Sequence, residues 1–357
     1  MTDPNKALLL FLPENRWFCL LILSLLGVLR QNVTFLHFVT LERQFKYVVV
    51  AIDYGVKYVR FYTIYWRMRS MKAKLRDTEI YFDIEGLGLR VSGNQMKEYP
   101  TAFLIHGGPG TDHSSYKLLF SELIDIVQLV YFDHRGQGRS QRGDKQTYTL
   151  DNNVEDMEAL RDHLGLDKII VMGSSYGGMV ALKYASRYPE RVQALIVMAT
   201  AGNHRFLDQA KKNLQIKGTP EQIAMAEYLW NGTFRDNEHL EEYFKVMSPL
   251  YSLSHNENSP KSKLQSTVFS IDAINIAFST FLRELYLIDQ LHKITAPTLV
   301  IGANEDWICP PEFSEEIAKH ISNTTLKIIE DCGHLIRVDQ PEKLIKEIYD
   351  FLTLIDF

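Results

Sequence analysis

From residue 78 onward, apolar residues fall in short clusters, and most clusters run into a polar or glycine-rich knot. Strict alternation in Thr78-Glu-Ile-Tyr-Phe-Asp-Ile84 predicts a half-buried strand. Continuous apolar stretches at 101–105, 126–132, 168–172, 193–198, 297–301 and 325–329 predict further strands. Between them the period changes to that of a helix. Val154, Met157, Leu160 and Leu164 share one face of a predicted helix over 150–164. Further helices are predicted over 179–187 and 311–321. A last one opens at Pro341 with Leu344, Ile345, Ile348 and Leu352 on its apolar face.

Apolar strands alternating with helices imply an α/β fold: a mostly parallel, doubly wound sheet with helices on both faces. The rhythm breaks at about 203–292, which carries helical patterns and little strand signal, so this stretch is expected to form a helical cap insertion over the site. In parallel sheets ligands bind beyond the carboxyl ends of the strands. The polar knots all follow strands, so they should gather on that edge.

One knot carries chemistry. Gly173-Ser174-Ser175-Tyr176-Gly177 lies between a strand and a helix, the setting in which G-x-S-x-G forms a sharp turn that lifts one hydroxyl above the sheet. Ser175 is then a nucleophile at a helix N-terminus. A serine hydroxyl needs a base, and the base needs a carboxylate to hold its tautomer. Gly302-Ala-Asn-Glu-Asp306 follows one later strand and Glu330-Asp-Cys-Gly-His334 the next, so Ser175, Asp306 and His334 have the chain order of a triad. Glu305 is the rival acid. The backbone N–H of Tyr176, with Gly107 or Gly108 from His106-Gly-Gly-Pro-Gly110, is the expected oxyanion hole. Asp133-His-Arg-Gly-Gln-Gly-Arg-Ser140 reads as a structural loop beside the site, because it lacks the dinucleotide-binding spacing.

Charge separates the first 70 residues from the rest. They hold nine Lys/Arg against four Asp/Glu, whereas the remainder is acidic and the whole chain has a net charge of −5. That balance argues against a nucleic-acid partner. The apolar run Trp17 to Leu29 is basic-flanked but shorter than the ~20 residues of a membrane span. Residues 61–69 are aromatic and basic, as membrane-surface segments are. Residues 1–70 are therefore read as an N-terminal extension without a packed fold; an interfacial membrane anchor and a cleaved export signal stay open. Residues 71–357 are the expected catalytic domain. Cys19, Cys309 and Cys332 make no disulfide framework, and no metal-ligand spacing occurs, so neither metal nor cofactor is expected. The expected location is cytoplasmic, with membrane association through residues 1–70 as the alternative.

From about residue 71 to the end, the chain resembles the α/β-hydrolase superfamily, and more narrowly its proline iminopeptidase-like branch. The residues that carry this are 106–110, 133–140, 173–178, 302–306 and 333–334. The resemblance implies the nucleophile at Ser175, the acid at Asp306, the base at His334 and an oxyanion loop at 106–110. It further implies cleavage of small peptides or amides through an acyl-enzyme. Such enzymes usually carry Trp after the serine, where this chain has Tyr176, and bind the substrate amine with cap acids. Glu227, Glu238, Glu241, Glu242 and Glu284 are candidates for that task, or simply an exposed helix face. An esterase or lactonase on the same scaffold, and a non-catalytic membrane-tethered binding protein, are the alternatives. A serine at the elbow disfavours dehalogenase and epoxide-hydrolase chemistry, which attack with a carboxylate there.

Overall fold

The computed structural model describes residues 35–40, 46–53, 59–66, 71–92, 94–254 and 267–355. The chain divides into two compact units, Met1–Arg69 and Ser70–Phe357. In the first, strands β1 (Phe35–Thr40), β2 (Lys46–Asp53) and β3 (Val59–Trp66) form an antiparallel meander, with Phe35 opposite Ala51 and Lys46 opposite Trp66. No strand was predicted in this stretch. Its β-branched and aromatic runs, KYVVVAID and VRFYTIYW, favour the pleated conformation instead. The run Trp17 to Leu29 lies outside the described residues.

The second unit is built on an eight-stranded sheet. Its strands are β4 (Met71–Leu75), β5 (Thr78–Glu85), β8 (Thr101–Ile105), β9 (Gln128–Phe132), β10 (Ile169–Ser174), β11 (Val192–Met198), β12 (Thr298–Ala303) and β13 (Thr324–Ile329). A separate hairpin, β6 (Leu89–Ser92) and β7 (Gln95–Glu98), follows β5. The strand order is β13-β12-β11-β10-β8-β9-β5-β4, parallel from β13 to β9 and antiparallel at β5 and β4. Sequence reading missed β4, a five-residue edge strand whose Ala73 and Leu75 face inward while Lys72 and Lys74 face out. Lysines on an edge discourage pairing with another chain.

Alternate residues of the central strands feed two cores. Phe103, Ile105, Val130, Phe132, Val171, Leu195 and Val197 point to one face. That face is covered by α1 (Leu150–His163), α2 (Tyr176–Arg187) and, near its edge, the helix Pro311–His320. Ala102, Leu104, Leu129, Tyr131, Ile170, Met172 and Ile196 point to the other, where Leu344, Ile345, Ile348 and Leu352 of the C-terminal helix Pro341–Thr353 pack. Burial on both faces explains why these strands read as unbroken apolar runs.

Between β11 and β12 the chain forms α3 (Arg205–Lys217), α4 (Pro220–Asn231), α5 (Asn237–Tyr251) and α6 (Ile271–Ser279). Local signals set the boundaries of α4. Thr219 and Gln222 form a reciprocal capping box around Pro220, and Gly232 closes α4 at φ 62°. After β8 the chain goes to β9 on one side and returns to β10 on the other. The loops leaving β8 and β10 therefore flank a topological switch point, where a crevice opens.

Candidate active site

Ser175 sits between the end of β10 and the first turn of α2, at φ 55° and ψ −122°. A non-glycine residue held there costs roughly 1–3 kcal/mol, so the surroundings must over-determine it. They do. Its N–H donates to the Met198 carbonyl at 2.9 Å, and its own carbonyl accepts the N–H of Gly178 at 2.9 Å and the Thr200 hydroxyl at 2.7 Å. The flanking glycines are demanded by space. A Cβ on Gly173 would lie 2.2 Å from the Gly177 carbonyl oxygen, and one on Gly177 would lie 2.2 Å from that of Ile105.

His334 Nε2 lies 3.0 Å from Ser175 Oγ, and its Nδ1 lies 2.8 Å from Asp306 Oδ2. Asp306 cannot donate as a carboxylate, so Nδ1 carries the proton and Nε2 presents its lone pair to the serine hydroxyl. The other oxygen, Asp306 Oδ1, accepts the backbone N–H groups of Ile308 at 2.8 Å and Cys309 at 3.0 Å. Asp306 and His334 are both buried, and Ser175 is partly exposed. Glu305 turns away to an exposed ion pair with Lys217 at 2.8 Å, which separates it from the histidine. The three residues singled out in sequence thus meet in one hydrogen-bonded chain.

The loop after β8 lies against the serine. A Cβ on Gly107 would come within 3.3 Å of Ser175 Cβ. The N–H of Gly107, however, already donates to the Tyr116 hydroxyl at 3.0 Å. Among the described residues the N–H groups of Gly108 and Tyr176 have no protein acceptor. Of the two glycines offered by the sequence, the geometry therefore leaves Gly108 as the available donor and commits Gly107 to shaping the loop. Tyr116 carried no motif, and only its fold neighbours reveal this task.

Tyr176 is buried, and its hydroxyl accepts the Asn153 side-chain N–H at 2.6 Å. Burial pushes that phenol above its ordinary range, so it stays protonated. Tyr251, at the end of α5, sets its ring edge-on to His334 at 5.8 Å and to Trp307 at 5.7 Å. These aromatic walls escaped the sequence reading because they come from the cap and from the residue after the acid. The five cap acids considered in sequence, Glu227, Glu238, Glu241, Glu242 and Glu284, are all exposed.

Beside the site the loop 133–140 is tied to neighbouring segments by hydrogen bonds. Arg135 is buried and donates twice to Asp156 at 2.6 Å, and again to Asp77 at 3.0 Å. Burial would raise the carboxyl of Asp133, but hydrogen bonds from His113 and the Arg139 N–H hold it below its usual value. Cys309 and Cys332 are buried free thiols; burial pushes Cys309 well above its ordinary range and Cys332 up to about 12. Neither forms a ready thiolate near the acid and base loops, in keeping with two packed small residues.

Known proteins share this fold. Residues 100–341 match the alpha/beta hydrolase fold family. A proline iminopeptidase, PfmaB, from Pestalotiopsis fici is 33% identical over 280 residues, covering 76% of this chain and 98% of the relative. A proline iminopeptidase from Lactobacillus helveticus is 27% identical, covering 77% and 94%. Among solved structures, a thermophilic esterase from Thermogutta terrifontis superposes with a TM-score of 0.61 at 26% identity, covering 80% of this chain and all of the other. A proline iminopeptidase from Mycobacterium smegmatis gives 0.62 at 19% identity, covering 80% and 98%, a likeness of fold. The chain is a hydrolase that belongs to the α/β-hydrolase family, in its proline iminopeptidase-like branch.

Proposed function

We propose that the protein is a serine hydrolase that cleaves small peptides or amides through an acyl-enzyme, with proline iminopeptidase-like preference. The observation that carries this reading is the continuous chain from Ser175 Oγ to His334 to Asp306, at 3.0 and 2.8 Å. In the first step Ser175 Oγ attacks the substrate carbonyl carbon while its proton passes to His334 Nε2. Asp306 stabilises the resulting imidazolium without taking its proton. The N–H groups of Gly108 and Tyr176 receive the negative oxygen. His334 then gives its proton to the departing amine, and a water activated by the same nitrogen releases the acid. Two relatives named as proline iminopeptidases, matched over nearly their whole length, support the choice of substrate.

One observation favours a second reading, an ester substrate: none of the five candidate cap acids is buried where it would face a substrate amine. The test is a panel of proline p-nitroanilide, its N-acetylated form and a p-nitrophenyl ester. Iminopeptidase chemistry requires cleavage of the free-amine anilide and loss of activity on acetylation. Turnover of the ester alone would establish the second reading. Loss of all turnover in Ser175→Ala, with an unchanged fold, is expected under either. Turnover retained in that variant would end the serine mechanism.

We also propose that residues 71–357 contain the complete catalytic unit and that any membrane association resides in residues 1–70. No helix among the described residues is long and apolar enough to cross a membrane. The two buried free thiols suit a reducing, cytoplasmic setting.

A further inference from the structure

Asp339 ends a short helix, Ile336–Asp339, five residues after the base. Its carboxylate is saturated by two different segments. Oδ1 accepts the Ser252 hydroxyl at 2.6 Å and the Ser254 N–H at 2.9 Å. Oδ2 accepts the Leu253 N–H at 3.1 Å and the Gly333 N–H at 2.8 Å. Residues 252–254 follow α5 of the cap, while Gly333 immediately precedes His334. A second link runs beside the first: Leu335 N–H donates to the Tyr251 carbonyl at 2.9 Å. His334 is therefore bracketed, with the residue on each side hydrogen-bonded into this junction. Gly333 leaves no slack, since a Cβ there would lie 3.0 Å from the Tyr251 carbonyl oxygen and 3.3 Å from Asp339 Oδ2.

We infer that Asp339 is a positioning residue for the reaction: its carboxylate clasps the cap segment 252–254 to the loop of the base, and the alignment of His334 Nε2 on Ser175 depends on that clasp. The inference rests on the serine-hydrolase reading above. The physical reason is that four N–H and O–H groups converge on two oxygens, a task for an acceptor-only group. Asparagine has the same shape but only one acceptor oxygen. Whichever way its amide turns, Nδ2 opposes either the Gly333 and Leu253 N–H groups or the Ser254 N–H. The loop must then shift, and a displacement of about 1 Å in a catalytic group costs on the order of 10²-fold in rate.

The experiment measures the rate of fluorophosphonate labelling at Ser175, counted per labelled site, together with kcat and KM on whichever panel substrate the wild type turns over. Labelling needs the Ser175–His334 pair and no leaving amine, so it reports alignment directly. In Asp339→Asn we expect labelling rate and kcat to fall together by on the order of 10²-fold, with KM little changed. In Ser252→Ala, which keeps the carboxylate and removes one of its four donors, both should fall by roughly threefold to tenfold. If Asp339 were only structural, labelling would keep its per-site rate while the melting temperature fell; that outcome overturns the inference, as do wild-type rates in both variants. Should Asp339→Asn fail to fold, Ser252→Ala decides alone. The serine reading fails separately, through equal labelling of wild type and Ser175→Ala, and this inference would fall with it.

Discussion

Replacing Asp306 by asparagine tests the polarity of the hydrogen-bonded chain. Oδ1 of Asp306 faces two backbone donors, Ile308 N–H at 2.8 Å and Cys309 N–H at 3.0 Å. An amide can satisfy both only by placing its oxygen there, which turns Nδ2 toward His334 Nδ1 across a gap of 2.8 Å. Two donors cannot face each other at that distance, so the imidazole must move its proton to Nε2. Nε2 would then be a donor toward Ser175 Oγ and could no longer accept the serine proton. The same tautomer error in a comparable triad lowers kcat by about 10⁴-fold. At about 1.4 kcal/mol per decade, that is a loss of roughly 5 kcal/mol of transition-state stabilisation. The fold should hold, because shape and the backbone hydrogen bonds survive. The assay is kcat/KM with a parallel thermal melt, and Glu305→Gln is the control. Glu305 pairs with Lys217 at the surface, so its variant should keep near wild-type turnover. The reasoning fails if Asp306→Asn retains a tenth of wild-type activity, or if Glu305→Gln is equally damaging.

Gly177→Ala should destabilise the protein by about 3 kcal/mol or more, because its Cβ would press against the backbone oxygens of Ile105 at 2.2 Å and His106 at 2.7 Å; an unchanged denaturant midpoint would contradict this. His134 is buried, burial holds it well below its ordinary value of 6.5, and neither ring nitrogen has a partner. The folded form thus resists protonation while the unfolded chain accepts it. Stability should fall as pH drops below 6.5, at up to about 1.4 kcal/mol per pH unit for this residue. His134→Phe, packed by Phe132 and Tyr176, should flatten that slope in denaturant titrations; an identical slope would refute the assignment. Deleting residues 1–70 should leave a cooperatively folding, active enzyme and abolish any vesicle binding of the full chain, since every triad and oxyanion residue lies beyond the cut. Loss of a cooperative melt in the truncated protein would move the domain boundary.

Short-range patterns in the chain determine much of this protein. Periods of two and 3.6 locate the apolar strands and helices from residue 78 onward to within a few residues. The loops that bear Ser175, Asp306 and His334 follow their strands as the pattern implies. These signals are readable because each depends only on neighbours a few positions away, through pleat, helical turn or the space available to a glycine. Strands whose cues were weak or misjudged, β1–β3, β4 and the β6–β7 hairpin, went unread. Tertiary structure alone decides which glycine of the 106–110 loop keeps a free N–H, because the choice is made by Tyr116, which no motif marks. It sends adjacent acids apart, Asp306 to His334 and Glu305 to Lys217. It also brings Asp339 to Ser252, 87 residues away in the chain, and Tyr251 to His334. Contacts of that span are set by the order in which strands assemble and by where the cap settles. Neither leaves a local period for the sequence to display.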